Sequence, residues 1–299
     1  MSLVMEARSL GKQYGRHWAL RDCTLAIPEG KVVGLVGPNG AGKTTLLHLA
    51  VGLVVPTSGS IGVLGASPAS GPAQLGRVGF VAQDTPVYAR LSVAQHLRMG
   101  AWLNPGWDMG LAQSRIEQLD LDPRQRAGTL SGGQRAQLAL TLAIAKRPAC
   151  LVLDEPVASL DPLARREFLR SLMEIVATQR ISVVLSSHLI ADLERVCDYL
   201  VVLVASRVQI AGDTGDLLAS HQRLSGPRRD AGSLPASQEV IEESHTDRQS
   251  TFLVRTSDPV HDPAWTVRPV TLDDLVIAYM SRSVAAPRHD DRPQLKVMS

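Results

Sequence analysis

The sequence predicts an α/β protein built around a mainly parallel sheet. Short apolar runs typical of buried strands alternate along the chain with segments whose apolar residues recur at helical spacing. The chain has 299 residues, 44% of them hydrophobic and 20% charged, which is enough for a packed core. Its net charge of +2 creates no strong basic field, so we expect no nucleic-acid partner.

The cysteines and the hydropathy of the chain indicate in which cellular compartment the protein is expected. The three cysteines, Cys23, Cys150 and Cys197, are scattered and odd in number, which predicts neither a disulfide framework nor a metal site. The first residues lack the apolar core of a signal peptide, and no run approaches the roughly eighteen apolar residues of a membrane span. We therefore expect a chain in a reducing cytosol, either soluble or held on a membrane by another molecule.

The predicted strands are short, valine- and leucine-rich runs that stop at turn or polar residues. After an initial strand, turn and strand, they lie within residues 31–37, 78–83, 149–156, 181–188 and 198–212. Helical spacing predicts helices over residues 44–53, over about 91–125 with an interruption at 104–106, and from Pro162 onwards. In the last of these helices one face carries Leu169, Leu172, Met173 and Val176.

Composition changes after about residue 220, which predicts a domain over residues 1–220 and a separate C-terminal part. Residues 221–238 are rich in Gly, Pro, Ser and Arg and are expected to form a linker. Residues 239–285 are expected to form a small α+β appendage, with strands near TFLVRT and WTVRPV and a helix capped by Thr271. Residues 286–299 are polar, and we expect them to be disordered.

A glycine-rich segment between a predicted strand and a predicted helix has the pattern of a phosphate-binding loop. GPNGAGKTT, residues 37–45, matches G-x-x-x-x-G-K-[ST] at every fixed position. The glycines let backbone N–H groups turn inward around phosphates. Lys43 would place a charge near the β- and γ-phosphates, and Thr44 would offer a hydroxyl to Mg²⁺.

Two carboxylates and a histidine follow two of the other predicted strands. LVLDEP ends in Asp154, which is suited to holding a magnesium ion, and Glu155, which is suited to orienting or deprotonating a water molecule. His188 ends the next strand, where it could contact a γ-phosphate.

These motifs together resemble the ATP-binding subunit of an ABC transporter, over about residues 3–219. GPNGAGKTT resembles the Walker A motif, Gln83 falls at the Q-loop, LSGGQ at 130–134 matches the signature motif, and LVLDEP resembles Walker B. SLD at 159–161 falls at the D-loop, and His188 at the switch histidine. The resemblance implies a P-loop NTPase fold of the ABC ATPase type, with a mainly parallel sheet, an N-terminal antiparallel β region and a helical subdomain over about residues 88–147.

The resemblance also implies which residues bind ATP and Mg²⁺ and which take part in hydrolysis. The implied catalytic residues are Glu155, His188 and Gln83, and the implied Mg²⁺ ligands are Thr44, Gln83 and Asp154. The implied ATP-binding residues are Tyr14, Gly37, Pro38, Asn39, Gly40, Ala41, Gly42, Lys43, Thr44, Thr45, Ser131, Gly132, Gly133, Gln134 and Asp161. Tyr14 is expected to stack on adenine, with Trp18 as the alternative. Because the catalytic set is complete, we expect an active ATPase.

A loop of one serine and two glycines, residues 131–133, runs straight into a predicted helix and forms a second candidate phosphate site. The family resemblance explains why one chain carries two such sites. Two ATPase subunits, identical or paralogous, would stack head to tail, with the Walker A loop of one facing the LSGGQ of the other. They would drive a separately encoded transmembrane permease from the cytoplasmic face of the membrane. Residues 84–90, with the helical region from Leu91, would form the groove for a coupling helix of that permease, or else an ordinary surface loop.

Three classes of ABC protein remain open, and the transporter subunit is favoured. A translation factor would carry two ATPase halves in one chain, and a DNA-repair or chromosome ATPase would carry long coiled coils, which are missing from this sequence. The overall pattern resembles bacterial exporters of drugs, peptides or antibiotics. Export is therefore the expected direction of transport.

Overall fold

The computed structural model describes residues 2–68, 70–85, 87–257, 260 and 262–285. The strands are β1 Leu3–Tyr14, β2 His17–Pro28, β3 Val32–Val36, β4 Ser58–Val63, β5 Val78–Val81, β6 Cys150–Asp154, β7 Ser182–Ser186, β8 Tyr199–Val204, β9 Arg207–Asp213, β10 His221–Pro227, β11 Glu239–His245, β12 Gln249–Arg255 and β13 Thr266–Pro269. The helices are α1 Lys43–Ala50, α2 Pro72–Arg77, α3 Val93–Leu103, α4 Met109–Gln118, α5 Gly132–Ile144, α6 Pro162–Gln179, α7 Ile190–Leu193, α8 Thr214–Ala219 and α9 Leu272–Ala285.

A six-stranded sheet forms the centre of the molecule, in the order β5-β6-β7-β3-β8-β9. Its strands are parallel except β9, which pairs antiparallel with β8. Every residue of β3, β6 and β7 is buried, because helices or a second sheet cover both faces. This explains why these strands are continuous apolar runs without alternation. The prediction of a mainly parallel sheet is confirmed.

A second, antiparallel sheet packs over α1 near the N-terminus. Its order is β2-β1-β4, and its buried side chains share one hydrophobic cluster with Leu46, Leu47 and Leu49 of α1. Helix α1 therefore lies between two sheets. This position makes the loop before α1 rigid, since both of its flanking elements are packed on two sides.

Helices α3, α4 and α5 form a helical region with its own small core. Val93 and Leu97 of α3 contact Ile116 of α4 and Leu138 of α5 in a cluster separate from the two sheets. Ser92 begins α3 with a capping box, and Asn104 ends it. The predicted interruption at 104–106 therefore falls between α3 and α4.

The C-terminal part differs from the prediction in two strands. Residues 221–227, expected to belong to a linker, form β10, an inner strand of a sheet in the order β11-β12-β10-β13. The prediction was wrong here because β10 buries few apolar side chains, chiefly Leu224, and is held by backbone pairing on both edges. Strand β11 was not predicted either. The expected strands at TFLVRT and WTVRPV form β12 and β13, and Thr271 caps α9 through a reciprocal pair of hydrogen bonds with Asp274.

Helix α9 packs against the central sheet as well as its own. Leu272, Leu275, Val276 and Tyr279 belong to the same hydrophobic cluster as Leu193 after β7 and Leu200 of β8. The division into domains at residues 220 and 238 therefore stays a prediction, and residues 286–299, expected to be disordered, lie outside the described residues. Within the described ranges, no helix is long and apolar enough to cross a membrane.

Candidate functional site

The loop between β3 and α1 has the backbone shape of a phosphate cradle. Gly40 and Gly42 have φ of 79° and 106°, in the left-handed region that favours glycine. A Cβ on Gly42 would lie 2.3 Å from the carbonyl oxygen of Ala19, so a side chain there is excluded on two grounds. Gly42 is followed at once by α1, so the free N–H groups of the helix start point into the loop.

Lys43, the first residue of α1, extends its side chain back along the loop. It is 6% exposed, and its Nζ donates a hydrogen bond to Gly37 O at 2.7 Å. The same Nζ lies 3.4 Å from Glu155 Oε1. The loop therefore holds its cation at the end of β6, where the two carboxylates lie.

Asp154, the last residue of β6, is buried with one oxygen unpaired. Ser186 at the end of β7 donates a hydrogen bond from its Oγ to Asp154 Oδ1 at 2.7 Å. In the described part of the chain Oδ2 has no hydrogen-bond partner, although it is buried. A buried carboxylate oxygen without a partner is costly, so this atom is suited to a cation.

Glu155 lies in a turn with a strained backbone. Its φ is 46°, unusual for a residue with a Cβ, and its backbone N–H donates to Ser186 Oγ at 2.8 Å. Its Oε2 lies 2.6 Å from His188 Nδ1, so the carboxylate stands between His188 and Lys43. Where the Glu155 oxygen accepts this hydrogen bond, Nδ1 of His188 is the donor.

Most of the Walker A residues, with Tyr14, Gln83 and Glu155, line one cleft of about 440 Å³, whereas Gly37, Pro38, Asp154 and His188 are not part of its described lining. Its lining is Tyr14, His17, Ala19, Asn39, Gly40, Ala41, Gly42, Lys43, Thr44, Thr45, Gln83 and Glu155. Trp18, the alternative to Tyr14, is not part of this lining among the described residues. His17 was missed by the sequence analysis. It is the cross-strand partner of Tyr14 in the β1–β2 hairpin, a register that the motif pattern does not reveal.

The signature residues lie elsewhere. Ser131, Gly133 and Gln134 line a different cavity of about 290 Å³, and Asp161 and residues 130–134 are not part of the described lining of the nucleotide cleft. Ser131 is the N-cap of α5 and exchanges two hydrogen bonds with Gln134, and Asp161 is the N-cap of α6. A Cβ on Gly133 would lie 2.9 Å from Ala164 Cβ, so this glycine permits the close approach of α5 and α6.

A glycine cradle before α1, with a buried aspartate at the end of a neighbouring parallel strand, defines a P-loop nucleotide-hydrolysing protein. The family model described as ABC transporter matches residues 20–158. A Nod factor export ATP-binding protein I of Cupriavidus pinatubonensis is 34% identical over 228 residues, 74% of this chain and 69% of that protein. A thiamine import ATP-binding protein ThiQ of Shigella flexneri is 32% identical over 216 residues, 70% of this chain and 92% of that protein.

A solved structure titled as the ATP-binding subunit of an ABC transporter has the same fold. It is 28% identical, covers 72% of this chain and 91% of that one, and superposes with a TM-score of 0.63. The chain therefore belongs to the ATP-binding proteins of the ABC transporter family. It is an ATP-hydrolysing transporter subunit, as the sequence predicted.

Proposed function

We propose that this chain binds Mg²⁺–ATP in the cleft between the cradle and the end of β6 and hydrolyses it to drive a separate permease. The observation that carries the proposal is the convergence of Lys43, Asp154, Glu155 and His188 beside a glycine loop in which Gly42 has no room for a Cβ. Glycine N–H groups and Lys43 would hold the phosphates, and Tyr14 or His17 would face the base.

Magnesium fits the residues present. Asp154 Oδ2 is buried without a hydrogen-bond partner among the described residues, and Thr44 and Gln83 line the cleft nearby. Oxygen ligands of this kind suit a small divalent cation. When bound, the ion would neutralise charge on the β- and γ-phosphates.

Within the chain, Glu155 is the group placed to accept a proton from an attacking water. His188 Nδ1 holds one oxygen of Glu155 and Lys43 stands by the other, so the carboxylate is orientated from both sides. The other ring nitrogen of His188, Nε2, would contact the γ-phosphate, and Gln83 would position the water or the cation.

The second half of the ATP site would come from another subunit. The signature residues line a cavity of their own rather than the nucleotide cleft, which supports a head-to-tail pair in which Ser131 and Gly132 of one subunit meet the γ-phosphate bound by the other. Asp161, at the start of α6, would lie at the same interface. ATP would then hold the pair closed, and hydrolysis would loosen it.

A trapping experiment tests this proposal. Glu155→Gln removes the proton acceptor and keeps the side chain's size, so we expect phosphate release to fall about 10²- to 10⁴-fold while ATP still binds. With ATP and Mg²⁺ the variant should form a dimer, and a polytopic membrane protein should co-purify from gently solubilised membranes. Glu194→Gln, an exposed glutamate after α7, is the matched control. Unchanged turnover in Glu155→Gln, or recovery of ribosomes or DNA-bound proteins in place of a permease, would contradict the proposal.

An apolar groove supports a permease contact on the cytoplasmic face of the membrane. It has a volume of about 580 Å³, and its walls come from the residues before Gln83, such as Phe80 and Ala82, and from α5, such as Leu142. Leu53 and Leu75 at its rim are 61% and 49% exposed. None of the described residues among 84–90, the segment predicted to form the groove, lines it, so the proposed site lies beside that segment.

We expect Leu53→Asp and Leu75→Asp to reduce permease co-purification and leave the ATPase activity of the isolated chain unchanged. A charge in an apolar contact is unfavourable, whereas both residues lie outside the described lining of the nucleotide cleft. Ile277→Asp on α9, where the native side chain is 46% exposed, is the control with comparable exposure. Equal co-purification of all three variants would place the permease contact elsewhere.

We propose export as the direction of transport, because the overall motif pattern is similar to that of exporter subunits and an export protein is among the relatives. Relatives named for import also match, so the direction needs a transport measurement. Inside-out vesicles carrying the chain and its co-purified permease should accumulate that permease's substrate when ATP is added outside. Glu155→Gln should abolish the accumulation. ATP-driven uptake only in right-side-out vesicles would overturn export without affecting the ATPase proposal.

A further inference from the structure

A buried arginine lies where three helices meet, away from the nucleotide cleft. Arg115 on α4 is 6% exposed and forms no ion pair with a carboxylate in the described part of the chain. Burying a guanidinium without such a partner is unfavourable, and arginine stays charged at any ordinary pH. Burial lowers the pKa of Arg115 from its usual value, and the charge of Glu174 on α6 opposes this shift only in part. Its Nε is also buried without a hydrogen-bond partner among the described atoms.

Two hydrogen bonds link Arg115 to the neighbouring helices. Its Nη2 donates to Gln137 Oε1 on α5 at 3.2 Å, and Gln137 Nε2 donates to Ser171 Oγ on α6 at 3.2 Å. All three side chains are buried. Because a guanidinium only donates, it determines which end of the Gln137 amide faces α4 and which faces α6. We call Arg115, Gln137 and Ser171 the Arg115 relay.

The two helices that the relay joins both begin at residues of the proposed trans site. Ser131 caps α5 less than two turns before Gln137, and Asp161 caps α6. Gln137 and Ser171 line the same cavity as Ser131 and Gly133. A rotation of α5 about its axis at Gln137 would therefore carry the N–H groups near Ser131 with it, since a helix is rigid over this length.

We propose that the Arg115 relay positions the signature loop, Leu130–Gln134, so that its serine and N–H groups meet ATP bound by a second subunit. The inference rests on the proposed head-to-tail function. Arg115 and Gln137 are positioning residues, because neither is part of the described lining of the nucleotide cleft.

A stabilising role and a positioning role of the relay predict different results when its side chains are replaced. Replacing a buried charged network with apolar side chains of similar size is often neutral or stabilising. A relay that only held the helices together could therefore be replaced without loss of function. A relay that sets an orientation could not, and this difference separates the two roles.

The test uses the triple variant Arg115→Met/Gln137→Leu/Ser171→Ala in the full chain, which removes all three polar side chains of the relay and leaves none of them unpaired. We expect the affinity of the monomer for ATP to be unchanged. The thermal unfolding temperature should be unchanged or higher. Amide hydrogen exchange over residues 131–136 should become about tenfold faster, with exchange in α1 unchanged. In the Glu155→Gln background, closure of the dimer with ATP should weaken about tenfold.

Two further variants keep the result interpretable. Gln137→Glu preserves an acceptor for Arg115 and should retain normal exchange and closure. Gln113→Leu changes an exposed residue of α4, the helix that carries Arg115, and should behave like the parent protein. Normal exchange and closure in the triple variant would overturn the relay. Equal loss of ATP affinity and stability would overturn it too, because it would indicate a packing role only. A Glu155→Gln parent that never dimerises would contradict the proposed function instead, and hydrogen exchange would still test the relay.

Discussion

Glu155 shows how a single residue is strained into its place. Its φ of 46° costs on the order of 1–3 kcal/mol for a residue with a Cβ. The surroundings offset that cost, because its N–H bonds to Ser186 Oγ and its carboxylate meets His188 and Lys43. A positive φ at a residue with a Cβ persists only where its surroundings hold it, as these contacts do here.

Two glycines of the cradle give a matched prediction at the same scale. Gly42→Ala meets both a left-handed φ and a carbonyl oxygen 2.3 Å from the new Cβ, whereas Gly40→Ala has a similar φ and no described atom within 4 Å. We expect Gly40→Ala to lower the free energy of unfolding by about 1–2 kcal/mol and Gly42→Ala to lower it by more. Chemical denaturation without nucleotide measures both. Equal losses of unfolding free energy in the two variants would show that the Ala19 carbonyl group moves aside without cost.

At the scale of elements, two residues predicted to bind ATP also cap helices. Ser131 and Asp161 each accept hydrogen bonds from the first turn of the helix that they begin. Such caps contribute about 1 kcal/mol each. An alanine at either position would therefore lose stability as well as any contact with ATP, and stability must be measured beside activity.

An ion pair connects the start of β3 with the end of β9 and predicts a pH dependence. Lys31 Nζ lies 2.9 Å from Asp213 Oδ2, and this hydrogen bond raises the pKa of Lys31 and lowers the pKa of Asp213. A lowered acid pKa contributes stability above the ordinary value of 3.8 that is lost as the pH falls through the folded value. A raised lysine pKa contributes stability below 10.5 that is lost at higher pH.

Lys31→Met should therefore destabilise the protein at neutral pH and much less at either extreme. The pair is about one-third exposed, so we expect at most about 1 kcal/mol near pH 7. Denaturation of both proteins from pH 3 to pH 7 measures the difference. A difference that stays constant over this range would mean that lost packing of the lysine stem, and not the ion pair, is responsible.

At the scale of the whole molecule, one hydrophobic cluster extends across the predicted domain boundary. Leu272, Leu275, Val276 and Tyr279 of α9 pack with Leu193 and Leu200, close in sequence to His188. Tyr279 also shares a 3.0 Å hydrogen bond with buried His221 at the start of β10. The C-terminal part thus completes the hydrophobic core around the segment that follows His188.

We expect a chain ending at Ala219 to be poorly folded. Each large apolar side chain lost from the cluster removes about 1.5–3 kcal/mol, and four of them approach the whole stability of a typical domain. Circular dichroism melting and size-exclusion chromatography measure the effect, with a chain ending at Ala285 as the control. A cooperative melt of the shorter chain at the full chain's temperature would support the predicted independent domain over 1–220.

The sequence by itself determined the elements and residues that carry strong local signals. The continuous apolar strands β3, β6 and β7, the glycine pattern before Lys43 and the Asp154–Glu155 pair could be predicted, because burial on both faces and phosphate binding restrict residue types over a short span. Family resemblance added Gln83, the signature loop and Asp161.

Only the tertiary structure decided features that depend on residues distant in the chain. Strand β10 escaped prediction because backbone pairing with β12 and β13, rather than apolar side chains, holds it in place. His17 reaches the cleft through the β1–β2 register. Ser186 binds both Asp154 and Glu155, and the Arg115 relay joins three helices through side chains up to 56 positions apart, from Arg115 to Ser171. Such contacts leave no local pattern, because each partner is an ordinary polar residue until the fold brings it to the other.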